Sequence, residues 1–215
     1  MNIEYGYYDT SSNELETKNN ILIAAKSRVN VISVLPAYLK LAKLNIPDSI
    51  KLSCPIDYPL GTLDLRSRLS SISSSIKNGA NIIELLLPSH SLCNRKYDKF
   101  KEDIKECLGL CLENNVELRY ILEYRIYTYE LLYKVCQILL DHGISTVYPS
   151  SGHSLDDIND NILASALINK KVPDIKIICN GNIWLESHIR TIEKANLHGI
   201  KLFSINGLDL IQKIL

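Results

Sequence analysis

Short apolar runs alternate along the chain with longer stretches in which apolar residues recur at helical spacing. The runs have the length of strands and lie at residues 3–8, 29–34, 50–56, 81–87, 117–123, 145–149, 175–180 and 201–205. The helical pattern covers residues 63–78, 96–114, 128–142, 155–170 and 183–197. Continuously apolar strands are typical of a parallel sheet that is covered on both faces. The pattern therefore predicts βα units, and their regular succession favours a closed barrel over an open sheet.

Glycine follows three of the predicted helices, at Gly79, Gly143 and Gly199. Glycine is common just past a helix end because it adopts the left-handed conformation without steric cost. The order of helix, glycine and strand supports the βα repeat. Since 215 residues suit one closed α/β core, we predict a single (β/α)8 TIM barrel that forms one domain over residues 1–215.

The charge and the cysteine content limit which kinds of partner the protein can bind and in which compartment we expect it. The formal net charge is zero and the pI is near 6.9, so no broad positive field favours nucleic acid or an anionic membrane. The six cysteines show no zinc-ligand spacing, which suggests reduced thiols and a cytoplasmic protein. No leader pattern opens the chain, and no apolar run approaches the roughly 20 residues of a bilayer span. We expect no metal and no cofactor, because Walker and dinucleotide-binding loops are also missing from the sequence.

Five segments, taken in chain order, resemble the deoxyribose-phosphate aldolase family of class I aldolases. Residues 3–8 (Ile-Glu-Tyr-Gly-Tyr-Tyr) resemble its first strand, and residues 31–36 (Val-Ile-Ser-Val-Leu-Pro) its Val-Cys-Val-Asn-Pro. The end of 50–61 resembles Phe-Pro-Leu-Gly, residues 78–84 resemble Gly-Ala-Asp-Glu-Ile-Asp, and residues 118–123 resemble Leu-Lys-Val-Ile-Ile-Glu. The resemblance implies a (β/α)8 barrel, a small-molecule carbonyl substrate and a homodimer.

The chain departs from this family where the chemistry should lie. Tyr148 opens a Tyr-Pro-Ser-Ser-Gly segment where the family has Lys-Thr-Ser-Thr-Gly, whose lysine forms the Schiff base. Residues 178–182 (Ile-Cys-Asn-Gly-Asn) replace Lys-Ala-Ser-Gly-Gly, which holds a second lysine, and Glu84 replaces a strand-end aspartate. The phosphate-binding turn of the last strand shortens to residues 204–207. These differences argue against the family's imine and leave phosphate recognition in doubt.

Glu84 and Tyr148 are the candidate catalytic residues. Glu84 interrupts the apolar run 82–87, and burial there would raise its pKa toward the range used for acid/base work. Its alternative is a structural pair with Arg119 or Lys176. Tyr148 should project inward in place of the family lysine, where its phenol can donate to an oxyanion but cannot form an imine. Equally, it could fill a dead pocket.

Polar side chains after the strand ends are candidates for substrate contacts. They are Asp57, Tyr58, Glu123, Arg125, His153, Asn180 and Ser204. Strand alternation puts Glu123 and Arg125 on the same side, where Arg125 could grip an anion bidentately; equally, the two could pair with each other or cap a helix. His153 and His90 could act as acids or bases near neutrality or be solvated loop residues.

Three hypotheses for function follow. The first is an aldolase-superfamily enzyme that acts on a small carbonyl compound by acid/base chemistry without the family Schiff base. The second is a catalytically inactive relative that works by binding. The third is a class I aldolase whose amine has moved, to Lys176 or another lysine; we expect Lys176, and Lys201 at the start of the last strand, to reach solvent instead.

Overall fold

A computed structural model describes residues 1–153 and 157–214. The first two residues of the predicted helix 155–170 lie outside the described residues.

Eight strands form the sheet, and each ends close to where its apolar run ends in sequence. They are β1 (Asn2–Tyr7), β2 (Val31–Val34), β3 (Lys51–Ile56), β4 (Ile82–Leu86), β5 (Glu117–Ile121), β6 (Thr146–Tyr148), β7 (Lys176–Gly181) and β8 (Gly199–Leu202). All neighbours are parallel, and β1 pairs with both β2 and β8. The sheet therefore closes on itself in chain order, which confirms the predicted single (β/α)8 barrel.

Helices follow the strands around the outside. The described residues contain α1 (Glu14–Ala25), α2 (Leu39–Asn45), α3 (Leu65–Lys77), α4 (Ser89–Cys93), α5 (Tyr97–Glu113), α6 (Tyr129–Asp141), α7 (Ile158–Lys171), α8 (Glu186–Lys194) and α9 (Ile205–Ile214). The five predicted helices correspond to α3, α5, α6, α7 and α8. Helices α1, α2, α4 and α9 were not predicted. No helix in the described part of the chain is long and apolar enough to cross a membrane.

The last strand differs from its prediction by two residues at its start and three at its end. The sequence places it at 201–205, but β8 begins at Gly199 and Ile205 already belongs to α9. Gly199 is therefore a strand residue that pairs with Asn2 of β1, and not a helix cap. Glycine is needed there because a Cβ would meet the backbone oxygen of Asn2 at 2.7 Å. The left-handed residue after α8 is Asn196, with a φ of 52°. Gly79 and Gly143 do take the predicted left-handed conformation.

The two faces of the strands differ in polarity. The outer face packs apolar side chains against the helices, and on β1 the hydroxyl of Tyr5 points outward to Asn20 of α1. The inner face carries several buried polar side chains, namely Glu4, Ser33, Ser53, Glu84, Arg119, Tyr148 and Lys201. A smaller apolar cluster of Leu86, Ile121, Tyr148 and Ile178 shares this interior. Because buried polar groups are costly unless they are paired, the arrangement of the inner side chains determines what the barrel can do.

Candidate active site

An ion pair crosses the barrel interior from β4 to β8. The ammonium of Lys201 lies 2.6 and 2.5 Å from the two carboxylate oxygens of Glu84. Both side chains are almost fully buried. Ser53 of β3 donates a third hydrogen bond to Glu84 at 2.5 Å. The carboxylate is thus compensated by a full positive charge and a hydroxyl.

This pairing reverses the predicted titration of Glu84. Burial pushes its pKa upward, but the charge of Lys201 and the hydrogen bonds from Lys201 and Ser53 outweigh burial. The net result is a pKa below the ordinary value of 4.5. The prediction of a raised pKa was wrong because it assumed a carboxylate without a cation. Glu84 is an ionised group that accepts hydrogen bonds.

Tyr8 sits just beyond the end of β1 and connects this pair to the barrel mouth. Its hydroxyl receives a hydrogen bond from Lys201 at 2.7 Å and donates one to Glu84 at 3.1 Å. It also shares a 2.7 Å hydrogen bond with Ser33 of β2. Burial and the negative charge of Glu84 raise the pKa of Tyr8 well above its ordinary value. The phenol is therefore a protonated group and a hydrogen-bond donor.

A second polar layer contains Tyr148, Glu4 and Arg119. The Tyr148 hydroxyl donates to Glu4 at 2.8 Å and accepts from Arg119 at 2.9 Å. Arg119 also contacts Glu4 at 2.7 Å. Burial and the carboxylates of Glu4 and Glu84 raise the pKa of Tyr148 well above its ordinary value. The ring of Tyr148 lies 4.6 Å from the Lys201 ammonium, so the two layers are continuous.

A cavity of about 380 Å³ opens at the barrel mouth. Its lining comprises Gly6, Tyr7, Tyr8, Asp9, Tyr58, Gly152, His153, Gly181, Asn182 and Phe203. These residues lie at or just beyond the carboxyl ends of β1, β3, β6, β7 and β8, which is where this fold places its active sites. Glu84 and Lys201 do not line the cavity. Tyr8 is the lining residue whose hydroxyl contacts both of them.

Aromatic rings shape the cavity. The Phe203 ring fills the space beside Gly6 and Gly152, where a Cβ would lie 2.7 and 2.8 Å from its carbon atoms. Tyr8 packs against Phe203 with ring centroids 5.4 Å apart, and against Tyr58 at 5.2 Å. Glycine is therefore required at both positions by the close approach of Phe203. The rings of Tyr8, Tyr58 and Phe203 all line the cavity.

Known proteins of similar sequence share one description. The chain is 28% identical over 186 residues to a deoxyribose-phosphate aldolase of Carboxydothermus hydrogenoformans, covering 84% of this chain and 79% of that protein. It is 27% identical over 133 residues to the same enzyme of Bdellovibrio bacteriovorus, covering 59% and 60%. The chain is a relative of the deoxyribose-phosphate aldolases. No family model matches it, and it spans 46% to 60% of the length of several relatives of that name.

Solved structures of aldolases share the fold. An aldolase called QR15 superimposes with a TM-score of 0.86 at 19% identity, covering 98% of this chain and 93% of that one. The deoxyribose phosphate aldolase of Aeropyrum pernix, described as a unique tetramer, gives a TM-score of 0.82 at 16% identity over 99% and 90%. At these identities the likeness establishes the barrel.

The two positions at which the aldolase resemblance places lysines hold Tyr148 and Ile178. Both face the barrel interior and share the inner apolar cluster. Lys176 is exposed at the start of β7, as expected. Lys201 contradicts its prediction, since its amine lies inside the barrel and not in solvent. The two-residue error at the start of β8 caused this mistake, because it put Lys201 first in the strand when it is third.

Three of the predicted substrate residues lie at or next to the cavity. Tyr58 and His153 line it, with ring centroids 6.0 Å apart. Asn180 is buried just before the lining residue Gly181 and donates to the backbone oxygen of Ser150 at 2.6 Å. Within residues 1–153 and 157–214, the Asn180 Oδ1 atom has no hydrogen-bond partner. Their contact with substrate stays a prediction.

Two predicted residues hold loops instead. Asp57, at a φ of 62°, accepts hydrogen bonds from the amides of Thr62 and Leu63 and pairs with Arg68 at 3.0 Å. Glu123, at a φ of 49°, accepts a hydrogen bond from the amide of Ser151 at 3.0 Å. These contacts fix the loops after β3 and β6, which carry Tyr58 and His153 to the cavity.

The remaining candidates lie away from the cavity lining. Arg125 pairs with Asp160 of α7 at 3.2 Å on the surface, while Glu123 is buried. The predicted same-side placement was wrong, because β5 ends at Ile121 and strand alternation stops there. Ser204 accepts a hydrogen bond from the Gly207 amide at 3.2 Å. His90 belongs to the short helix α4 and lines a separate surface cleft.

Sequence reasoning missed Tyr8 as a site residue. The signal was present, because Glu4, Gly6 and Tyr8 share the parity of the inward face of β1. The residues that the structure describes contain no group of three or more His, Cys, Asp or Glu side chains arranged to hold a metal ion.

Proposed function

We propose that this chain is an aldolase-superfamily lyase that makes or breaks a carbon–carbon bond in a small carbonyl compound at the barrel mouth. The observation that supports it most is the position of Tyr8, which lines the cavity and is hydrogen-bonded to the buried Glu84–Lys201 pair. The similarity to deoxyribose-phosphate aldolases supports the same reaction class.

Tyr8 is the proposed donor to the substrate carbonyl, to which its single O–H would turn from Glu84 when substrate binds. When the bond between the α- and β-carbons breaks, its electron pair forms an enolate whose oxygen is the former carbonyl oxygen, and a positioned donor stabilises the charge that develops there. The Tyr8 hydroxyl is held from three sides by Ser33, Glu84 and Lys201. Lys201 keeps a positive charge 2.7 Å behind the phenol oxygen, which strengthens the phenol as a donor.

The other half of the reaction needs a base that takes the proton of the substrate β-hydroxyl as that oxygen becomes a carbonyl, and returns a proton to the α-carbon of the enolate. His153 lines the same cavity and its ring packs against Tyr58, which also packs against Tyr8, and we propose it for this role. Glu84 then acts through Tyr8 and Lys201 as a positioning residue, since it does not reach the cavity. Tyr148 contacts the Glu84–Lys201 pair, with its hydroxyl 3.4 Å from Glu84 and its ring 4.6 Å from the Lys201 ammonium.

The test compares Tyr8, just beyond the end of β1, with Tyr5 within that strand. Tyr8→Phe should lower turnover of a cleaved hydroxycarbonyl substrate by roughly 10²–10³-fold, which is the usual loss of an oxyanion donor. Tyr5→Phe is the matched control, because Tyr5 faces the helices and its hydroxyl contacts Asn20. Equal turnover of Tyr8→Phe and the wild type, measured per folded molecule, would remove Tyr8 from the mechanism.

One observation favours a second candidate, a class I aldolase that uses Lys201. Its amine lies inside the barrel, 5.2 Å from the ring of the cavity-lining Tyr8. If Tyr8 moved aside and Lys201 passed a proton to Glu84, the neutral amine could condense with an aldehyde, expel water and form an imine. Borohydride would reduce that imine to a stable amine adduct on the Lys201 peptide. Mass spectrometry of wild type, Lys201→Met and the exposed control Lys176→Met decides between the two mechanisms, since an adduct lost only in Lys201→Met selects the imine.

A further inference from the structure

The chemistry of the cavity lining suggests which substrates it accepts. Among the described residues no lysine or arginine lines the cavity. The undescribed residues 154–156 are Ser, Leu and Asp in the sequence, so none of them is a lysine or arginine. Phosphate sites in proteins use arginine, lysine or free amides at a helix N-terminus. The described lining therefore lacks the lysine and arginine side chains that phosphate sites commonly use.

The backbone at the end of β8 is also committed. Ser204 accepts a hydrogen bond from the Gly207 amide in the first turn of α9, and its carbonyl accepts from Leu208. Phe203 occupies the space between Gly6 and Gly152 at the same strand end.

Two hydrogen-bond acceptors lie at or next to the cavity, on Asp9 and Asn180. Asp9 lines the cavity, and hydrogen bonds from the side chain and amide of Ser11 lower its pKa, so it is a fixed negative charge. The buried Oδ1 atom of Asn180 lacks a partner within the described residues. Acceptors of this kind suit the hydroxyl groups of a ligand and repel a phosphate.

Aromatic rings add apolar surface to the cavity lining. Tyr8 packs against Tyr58 with ring centroids 5.2 Å apart and against Phe203 with ring centroids 5.4 Å apart. The C–H groups of a hydroxylated carbon chain can pack against these rings while its hydroxyls reach the acceptors.

We propose that the cavity takes an uncharged, hydroxyl-bearing carbonyl compound, such as an unphosphorylated sugar or hydroxyaldehyde, and discriminates against its phosphate ester. The inference rests on the proposed function, because it assigns the substrate class of that same cavity. The proposed substrate class differs from the phosphate ester that the name of the relatives, deoxyribose-phosphate aldolase, contains.

The experiment measures binding and not turnover, with two pairs of probes. The pairs are 2-deoxyribose with 2-deoxyribose 5-phosphate, and glyceraldehyde with glyceraldehyde 3-phosphate, titrated by ligand-observed NMR. We expect each uncharged member to bind about 10-fold more tightly than its ester at low ionic strength, with a smaller ratio in high salt.

Asp9→Asn should reduce that ratio by roughly two- to fivefold, since it removes one nearby negative charge. The matched control is Asp98→Asn, which removes an equally exposed aspartate at the start of α5, away from the cavity lining.

The outcomes separate the two proposals. Equal or tighter binding of the esters overturns the substrate inference and leaves a carbonyl site in place. Binding of none of the four compounds overturns both. Discrimination that Asp9→Asn and Asp98→Asn leave equally unchanged overturns the electrostatic explanation on which the inference depends.

Discussion

Two buried ion networks stand on opposite sides of the barrel wall. Inside, Lys201 compensates Glu84 and touches the hydroxyl of Tyr8. Outside, the fully buried Arg68 of α3 lies 3.0 Å from Asp57 and 3.2 Å from Asp103 of α5. Both networks hold a buried cation. They differ in the groups that the charged side chains contact beyond the ion pair.

The outer network ends in backbone, and the inner one ends at a cavity. Arg68 also donates to the carbonyl of Leu86 at 2.7 Å, so it joins the loop after β3 to the end of β4. The inner pair meets a tyrosine that lines the mouth. A buried ion pair is therefore not by itself a sign of catalysis. Contact with a group that reaches a cavity distinguishes the two.

The largest effect should come from breaking the outer network. Arg68→Met leaves two buried carboxylates without their cation and should lower the free energy of unfolding by roughly 3–5 kcal/mol. Urea denaturation measures this change, and Arg66→Met, an exposed residue of the same helix, is the control. A loss below about 1 kcal/mol would show that the outer network is not structural.

Breaking the inner network should lower the free energy of unfolding somewhat less, because Ser53 and Tyr8 still donate to Glu84 when Lys201 is removed. Lys201→Met and Glu84→Gln should each destabilise the protein by roughly 2–4 kcal/mol, and the double variant by less than their sum, with a coupling of about 1–3 kcal/mol. A double-mutant cycle in urea measures that coupling. Additive losses would mean that the two side chains do not stabilise each other.

The two networks should respond to acid in opposite directions. The folded-state pKa of Glu84 is below 4.5, so its contribution to stability is complete above that value and is lost as the pH falls through the folded-state pKa. Burial raises the pKa of Asp103 above 3.8, more than Arg68 lowers it. Ionised Asp103 therefore opposes folding, and its contribution becomes more favourable as the pH falls toward 3.8.

Unfolding free energies measured between about pH 3 and pH 6 test this contrast. The stability advantage of the wild type over Glu84→Gln should shrink as the pH falls, while its advantage over Asp103→Asn should grow. Parallel pH profiles for the two variants would contradict the opposite pKa shifts.

The smallest effect should come from the surface. Arg125→Met removes an exposed pair with Asp160, which is worth about 0.2–1 kcal/mol in typical surface pairs. Because Arg125 does not line the cavity, binding of carbonyl probes should not change. A clear loss of probe binding in Arg125→Met would restore Arg125 as a substrate anchor.

The fold could be predicted from sequence because each strand is an apolar run of the right length and most helices follow with helical periodicity. The boundary of β8 could not, since Gly199 resembles a helix cap until its contact with Asn2 is known. That single error moved Lys201 from the interior to the solvent.

The site was harder to predict, because its members meet only through barrel closure. Glu84 was found from its apolar neighbours, but its cation is 117 residues away in sequence. Local spacing also misplaced Arg125, as alternation ends with the strand. Tyr58 and His153 were found because they follow strand ends, where this fold exposes side chains.

The inner hydrogen bonds join the two ends of the chain. Tyr8 and Lys201 are 193 residues apart, and Glu4 and Tyr148 are 144 apart. During folding, Glu84 therefore lacks the Lys201 ammonium until β8 has docked between β1 and β7. A barrel without its last strand would hold the buried Glu84 carboxylate without its ion-pair partner, so the charge pair favours closure of the barrel over the intermediate that lacks β8.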